Sequence, residues 1–264
     1  MISRTIRKEN DAALLKNDID NLQQWEKKWK MEFNSDKCEA CSISNKRKPI
    51  NATYSIHGKS LKHVKSAKYL VVSIVNKLSW NTHVDNICKK ANSTRAFLQR
   101  NTRMCPRHIK SRCYATYVRP TLEYASTVWD PSTQKSCAKI EGIQRRSARY
   151  VFNDYDRQRS VTSMIEALKW PLLQTRRVKA KAVMMYRIVN GLVAIPMNKH
   201  LVLTQSRTRG HETRFLQPFT RVQAYKHSFF PSAIRVWNTL PTEIIGKPTL
   251  ESFRVGLNRA AASL

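Results

Sequence analysis

The sequence predicts an α+β protein that is mainly α, with a small antiparallel β region near the N-terminus followed by a helical bundle. Two observations predict it. Segments rich in β-branched residues are confined to the first third of the chain, between residues 37 and 74. After Trp80 apolar residues recur at spacings of three and four, the helical period, and continue to do so towards the C-terminus. No internal repeat and no low-complexity tract interrupts that reading.

The first helix is expected over residues 10–31. Leu15, Ile19, Leu22, Trp25 and Trp29 form one stripe, with Lys16, Asp20, Gln24, Lys27 and Lys28 mostly outside it. It should stop at the turn formers Phe33-Asn34-Ser35-Asp36. Lys37–Ile43, Tyr54–Gly58 and Ala67–Ile74 read as strands, and a basic loop, Asn45–Pro49, separates the first two. Residues 82–99 return to helix, with Val84, Ile87, Cys88, Ala91 and Leu98 inward and Lys89, Lys90, Arg95 and Arg100 away from much of that stripe. Residues 107–118 should turn Ile109, Cys113 and Tyr117 inward.

The stretch from Tyr117 to Pro131 is apolar and aromatic enough to lie inside a helical domain. Pro120 and Pro131 bracket it, because proline lacks the N–H that an inner helical turn needs. The helix that follows has two characters. Cys137, Ile140, Gln144, Ala148 and Val151 share one face, while Lys139, Arg145, Arg146 and Arg149 project largely elsewhere. Such a helix can pack on a core and still offer charge to a polyanion. Asn153–Gln158 is a polar break, Val161–Leu168 a short helix ended by Trp170-Pro171, and 172–190 a longer one with Gly191 as C-cap. Residues 200–222 show no period and read as a loop; Ser228–Leu240 and Thr249–Leu257 are closing helices. Three parts follow: 1–76, 77–199 and 200–264.

Charge narrows the function class. The chain carries 48 Lys+Arg against 18 Asp+Glu, a formal net charge of +30. That far exceeds the magnitude of about 2–8 that solubility of a small domain asks for. Self-repulsion of this size is relieved by a counter-polyanion, nucleic acid or an anionic membrane surface. Tryptophans and tyrosines spread through several helices favour nucleic acid over one amphipathic membrane helix. No run approaches the ~20 apolar residues of a membrane span, and the N-terminal residues show no secretory apolar core. Six irregularly spaced cysteines form no disulfide framework, which points to nucleus or cytoplasm.

Sites for chemistry are few. Polymerase-type metal binding needs converging carboxylates. Asp18 and Asp20 lie about 200° apart on a helix, and Asp154 and Asp156 sit in a polar turn where Asp is common for backbone reasons. No adjacent Asp-Asp, GxGxxG or Walker sequence occurs, so no catalytic residue and no metal site is assigned. Cys38-x-x-Cys41 with His57 and His63 matches a zinc spacing, but its surroundings read as loop and strand and not as a finger. His83, His108, His200, His211 and His227 are scattered. The strongest signal is basic: Lys89 and Lys90, then Arg145, Arg146 and Arg149, then Arg176 and Arg177 with Lys179 and Lys181, on three amphipathic helices. Solvated helix faces are the plain alternative; three clusters without matching Glu partners favour phosphate contacts. Tyr150 and Tyr186 near them are read as core.

The order Val118-Arg-Pro-x-Leu-Glu-Tyr-Ala-Ser-x-Val-Trp-Asp-Pro131 followed by Ile143-Gln-Arg-Arg-x-Ala-Arg149 resembles jockey-type non-LTR (LINE-like) retrotransposon reverse transcriptases, downstream of their polymerase core. Similar pieces run from about Arg4 to Phe253: Trp29-x-Met-x-Phe-Asn-x-x-Lys-Cys38, Lys68-Tyr-Leu-Val-Val72, Leu78-Ser-Trp-x-x-His83, Leu168-Lys-Trp-Pro-Leu172, Tyr225-x-x-Ser-Phe-Phe-Pro231 and Trp237-Asn-x-Leu-Pro241. The resemblance implies that residues 1–76 are a palm remnant with a motif D-like helix. It further implies that Lys68, Tyr69, Leu70 and Val71 are primer-grip-like, and that the helical remainder is a thumb and its C-terminal extension clasping an RNA–DNA or other double-stranded substrate by its backbone. Magnesium serves the intact family enzyme, and the fragment itself would hold no cofactor. Two departures stand out. The family's Ala-Asp-Asp motif would lie upstream of Met1, with the fingers and most of the palm as missing partners. Val71 replaces the family's glycine, which is unfavourable if that turn needs φ > 0. The expectation is a nucleic-acid-binding fragment of an RNA-directed DNA polymerase, truncated and inactive alone. A clipped reading frame of an active enzyme and a non-functional element remnant are the alternatives.

Overall fold

The computed structural model describes residues 1–44, 46–50, 52–204 and 213–260. Its architecture is α+β and mainly α. The backbone divides into two units, Met1–Ser79 and Trp80–Leu264.

In the first unit, helix α1 (Glu9–Trp29) is followed by six short strands. Asp11 closes the helix start by accepting from the Arg7 and Lys8 N–H groups at 2.7 and 2.9 Å, which supplies acceptors to backbone donors that the helix leaves unmet. Lys30 caps the other end in the left-handed region. The expected stripe is only partly interior: Ile19 is buried, whereas Trp25 and Trp29 are 43% and 61% exposed and lean on each other and on Phe33 at the surface. Glu26 is the buried polar group of α1, accepting from the Phe33 N–H and from His57. Burial would raise its pKa, but those hydrogen bonds win and hold its carboxyl below the usual range.

The strands form three two-stranded ladders. β1 (Glu39–Ala40) pairs with β4 (Lys62–His63) in parallel, a departure from the all-antiparallel expectation. β2 (Ser55–Ile56) and β3 (Lys59–Ser60) form a hairpin through His57-Gly58, both at positive φ. β5 (Ser66–Tyr69) and β6 (Val72–Val75) form another, in register from Ser66↔Val75 to Tyr69↔Val72. The single strand expected over Ala67–Ile74 is therefore a hairpin whose two-residue turn is Leu70-Val71.

In the second unit, α2 (Asn81–Asn101) precedes a long helical rod made of α3 (Arg107–Cys113), a π-helical turn (Tyr114–Val118) and α4 (Arg119–Glu123). The rod runs through Pro120. In the wide turn the Arg119 N–H bonds back five residues to the Tyr114 carbonyl, and the residue without an N–H falls immediately after it, in the first turn of α4. The inward face is Lys110, Tyr114, Val118 and Leu122, not Ile109, Cys113 and Tyr117; Tyr117 is 60% exposed. Lys110 tolerates the interior because its ammonium lies over the Tyr150 ring, 5.9 Å from the centroid.

Next come α5 (Gln134–Phe152), α6 (Val161–Ala167) and α7 (Leu173–Val189). Helix α7 ends in a Schellman arrangement: Gly191 stands at φ 65°, and the N–H groups of Gly191 and Leu192 reach the Ile188 and Arg187 carbonyls at 3.2 and 2.8 Å. The C-terminal helices α8 (Gln223–Lys226), α9 (Phe229–Thr239), α10 (Thr242–Ile245) and α11 (Leu250–Ala260) follow. Their Ile234, Trp237, Phe253 and Leu257 share one apolar core with Met185, Tyr186 and Ile188 of α7, so the segments read as 77–199 and 200–264 are joined by packing. Within the expected loop at 200–222, Leu203 pairs with Phe215. Residues 205–212, which include His211, lie outside the described residues, as does Asn45 of the basic loop.

Candidate nucleic-acid interface

Helix α5 owes its position to its apolar face. Thr133 caps its start, accepting from the Ser136 N–H at 3.4 Å, and Asn153 closes its end at φ 53°. Ile140, Ile143, Ala148 and Val151 are buried, as is Gln144, which accepts from the Tyr114 hydroxyl at 2.9 Å and donates to the Pro171 carbonyl at 3.1 Å. A satisfied side-chain amide on that face fixes the rotation of the helix. Arg145 and Arg146 are consequently turned to solvent.

α2 runs alongside in the same direction. Ser136 donates to Asn81 at 3.0 Å, Lys139 meets Asp85 at 2.5 Å, and the hydroxyls of Thr102 and Tyr150 touch near the far end. Across this pairing the charge of Arg146 on α5 acts on Arg95 of α2. Among the described residues Arg95 has neutral partners, the side-chain oxygens of Asn92 at 3.2 Å and Gln99 at 2.8 Å. Its pKa is pushed down, first by burial and then by the charge of Arg146. Arg146 lies over the bare backbone of Gly142, where a Cβ would stand 3.5 Å from its Nη1. Lys89 and Arg100 are exposed on another face of α2, eleven residues apart and so about three turns along one line, about 120–140° round from Arg95. Lys90 is exposed too, rotated about 100° from Lys89.

The remaining basic residues behave differently. Arg149 is taken up by its own loop, donating to the carbonyls of Asp154, Asp156 and Arg159 at 3.4, 2.6 and 3.3 Å. The expectation that the α7 cluster lacks carboxylate partners is corrected. Arg176 grips Glu123 with two nitrogens. Arg177 is 1% exposed and meets Asp130 at 2.8 Å, while Lys181 meets the other oxygen of Asp130 at 2.6 Å. Those carboxylates stand 53 and 47 positions away in sequence, beyond any helix-spacing rule. Tyr150 and Tyr186 are buried.

In the first unit Lys68 and Tyr69 are exposed on β5, and Leu70 and Val71 are exposed at the hairpin tip with φ of 43° and 71°. The position where the resemblance calls for glycine thus has the backbone that glycine favours, occupied by a β-branched residue.

The carboxylates and thiols weighed from sequence are engaged locally. Asp18 pairs with Arg4 at 2.7 Å and Asp20 accepts from Gln23 at 3.1 Å. Asp154 pairs with Arg159 at 2.8 Å, and Asp156 accepts from the Gln158 N–H at 3.0 Å. His57 is bound to Glu26 and His63 to Ser42, at 2.7 and 2.9 Å. Cys38 donates to the Asn34 carbonyl, and burial followed by the charge of Glu39 pushes the Cys41 thiol up, away from a metal-ready thiolate. Among the described residues no group of three or more His, Cys, Asp or Glu could hold a metal ion. No described helix is long and apolar enough to cross a membrane.

A stretch of 142 residues, half of the chain, is 25% identical to the RNA-directed DNA polymerase from mobile element jockey of Drosophila melanogaster. The chain spans 15% of that protein's length. The match relates this region of the chain to a reverse transcriptase. No protein-family model matches the chain, and no solved structure matches it.

Proposed function

We propose that the chain is a nucleic-acid-binding region of a retroelement RNA-directed DNA polymerase, holding an RNA–DNA or double-stranded substrate by its sugar-phosphate backbone. The observation that carries this reading is the α2–α5 seam, where the charge of Arg146 acts on Arg95 and, among the described residues, neither guanidinium pairs with a carboxylate. Two adjacent guanidiniums from different helices repel each other, and a bridging phosphate turns that repulsion into charge-assisted hydrogen bonding. Lys89, Lys90, Arg100 and Arg145 are exposed too, but Lys89, Lys90 and Arg100 stand about 120–140° round α2 from Arg95. Backbone contacts of this kind position a duplex without reading its sequence. The described residues do not fit a two-metal polymerase centre, so no bond-making step is assigned to them.

The test is equilibrium binding of a labelled RNA–DNA hybrid over a salt series, comparing the chain with Arg95→Ala/Arg146→Ala and with Arg145→Ala/Arg146→Ala. Each lost phosphate contact should lower the slope of log K against log salt by about 0.9 on B-form DNA and by a comparable amount on a hybrid. An unchanged slope in both variants removes this seam as the contact surface.

A further inference from the structure

Helices α7 and α11 and the segment Glu123–Thr127 enclose a cavity of about 420 Å³. One wall is apolar, made by Pro171, Ala180, Val183 and Met184. Among the described residues, five cationic side chains line it against one carboxylate, Glu123. Most of these charges are already answered. Glu123 is gripped by Arg176 and has Arg119 beside it at 3.6 Å. Arg177 belongs to Asp130, and Arg254 to Glu251 at 2.7 Å. Among the described residues, Lys179 and Arg187 pair with no carboxylate. The ammonium of Lys179 donates to the Asn258 side-chain oxygen at 2.9 Å, and its pKa is pushed down by burial and then by the neighbouring Arg176. Lys179 and Arg187 stand eight residues apart on α7, about 12 Å along the axis, with Val183 midway.

We propose that this cavity binds a nucleoside phosphate, with the base against Val183 and Met184 at its middle and the phosphate drawn to one of the two flanking cations, Lys179 or Arg187. The volume falls in the range of about 300–1,000 Å³ typical of small-ligand sites, and an apolar wall with a few convergent polar groups is their usual lining. A thioether beside an aromatic base is favourable, and arginine and lysine are the usual phosphate partners. A duplex is far too wide to enter, so the cavity takes a single nucleotide at most. It can be supplied free or as the phosphorylated end of a single strand. Strand-end binding rests on the polymerase-region reading above; binding of a free nucleotide does not.

Calorimetry on the full chain with AMP, adenosine and inorganic phosphate tests the site. AMP is expected to bind about tenfold or more tighter than either fragment, as expected for a charge-assisted contact added to an apolar one. That preference should collapse in Lys179→Gln/Arg187→Gln and largely persist in Arg187→Lys, which keeps the charge. Thermal melts of each variant establish that it is folded. Anisotropy with a ten-nucleotide strand bearing a 5′-phosphate or a 5′-hydroxyl then separates the sources: a phosphate preference there assigns the strand end, and its absence assigns the free nucleotide. Equal binding of AMP and adenosine overturns the proposal. So does inorganic phosphate binding as tightly as AMP, or an AMP preference that survives Lys179→Gln/Arg187→Gln. Because Arg145→Ala/Arg146→Ala lies outside the cavity, loss of hybrid binding there with AMP binding intact separates the two sites.

Discussion

Replacing Val71 by glycine should make the protein more stable. The β5–β6 hairpin turns through Leu70 and Val71 at φ 43° and 71°, the geometry of the two-residue turns that suit right-twisted strands. An L-residue in the left-handed region costs roughly 1–2 kcal/mol, about 1.5 at the middle of that range. Glycine gives back about 0.5–1 kcal/mol through the entropy of the unfolded chain. The Val71 side chain is 54% exposed, so little packing is lost on removing it. The net expectation is a gain of about 0.5–1 kcal/mol. Adding Leu70→Asn, which tolerates positive φ, should carry it further. Denaturant melts give the sum, and amide exchange in Ser66–Val75 should slow about two- to fivefold, which localises the gain. Gly58 supplies the opposite control: it stands at φ 72° in the β2–β3 hairpin with nothing within 4 Å of an added Cβ, so Gly58→Ala meets only backbone strain. It should lose about 1 kcal/mol. If Val71→Gly is neutral or destabilising while Gly58→Ala is costly, the account of the Leu70-Val71 turn is wrong.

Four other substitutions probe the second unit. Asp130→Asn strands Arg177 and Lys181 as buried cations and should cost about 3–5 kcal/mol, whereas Lys181→Met leaves the Asp130–Arg177 pair and should cost far less; equal losses in denaturant melts would refute the shared-carboxylate account. His83 is buried, edge-on to Trp129 at 4.9 Å, and burial lowers its pKa from 6.5. The folded form favours neutral imidazole, so its contribution is complete above pH 6.5 and is lost as pH falls from there towards the lowered folded value. His83→Phe should flatten stability between pH 7.5 and 5.5, and an unchanged slope refutes the assignment. Gly142→Ala adds a Cβ at an ordinary 3.5 Å from Arg146 and should stabilise α5 by about 0.5–1 kcal/mol; a loss would show that the bare backbone there is structurally required.

The parts legible from sequence were those decided within a few residues. The buried face of α5, the exposure of Arg145 and Arg146, and the Gly191 cap all follow from spacing and local backbone chemistry. Helix α1 shows the limit: its period placed Trp25 and Trp29 on one stripe, but nothing local decides whether a stripe is covered. The hairpin tip was hidden because Leu-Val carries no turn signature. The inward face of the 107–123 rod was misread because Lys110 lies inside while Tyr117 lies outside, the reverse of what their polarity suggests. The ion pairs of Arg176 and Arg177, and the cavity joining Lys179 and Arg187 to Arg254, depend on elements brought together only by tertiary packing.

The π turn at Tyr114–Val118 fixes the azimuth of everything beyond it. One additional residue in that turn rotates α4 by about 100° relative to a plain α-helix. In this azimuth Glu123 reaches Arg176. Deleting a single residue between Tyr114 and Val118 would rewind the rod, swing Glu123 aside and leave Arg176 as a bare cation beside Lys179. A change in helix pitch would thereby be transmitted, over two turns, into the electrostatic potential of a cavity on another helix.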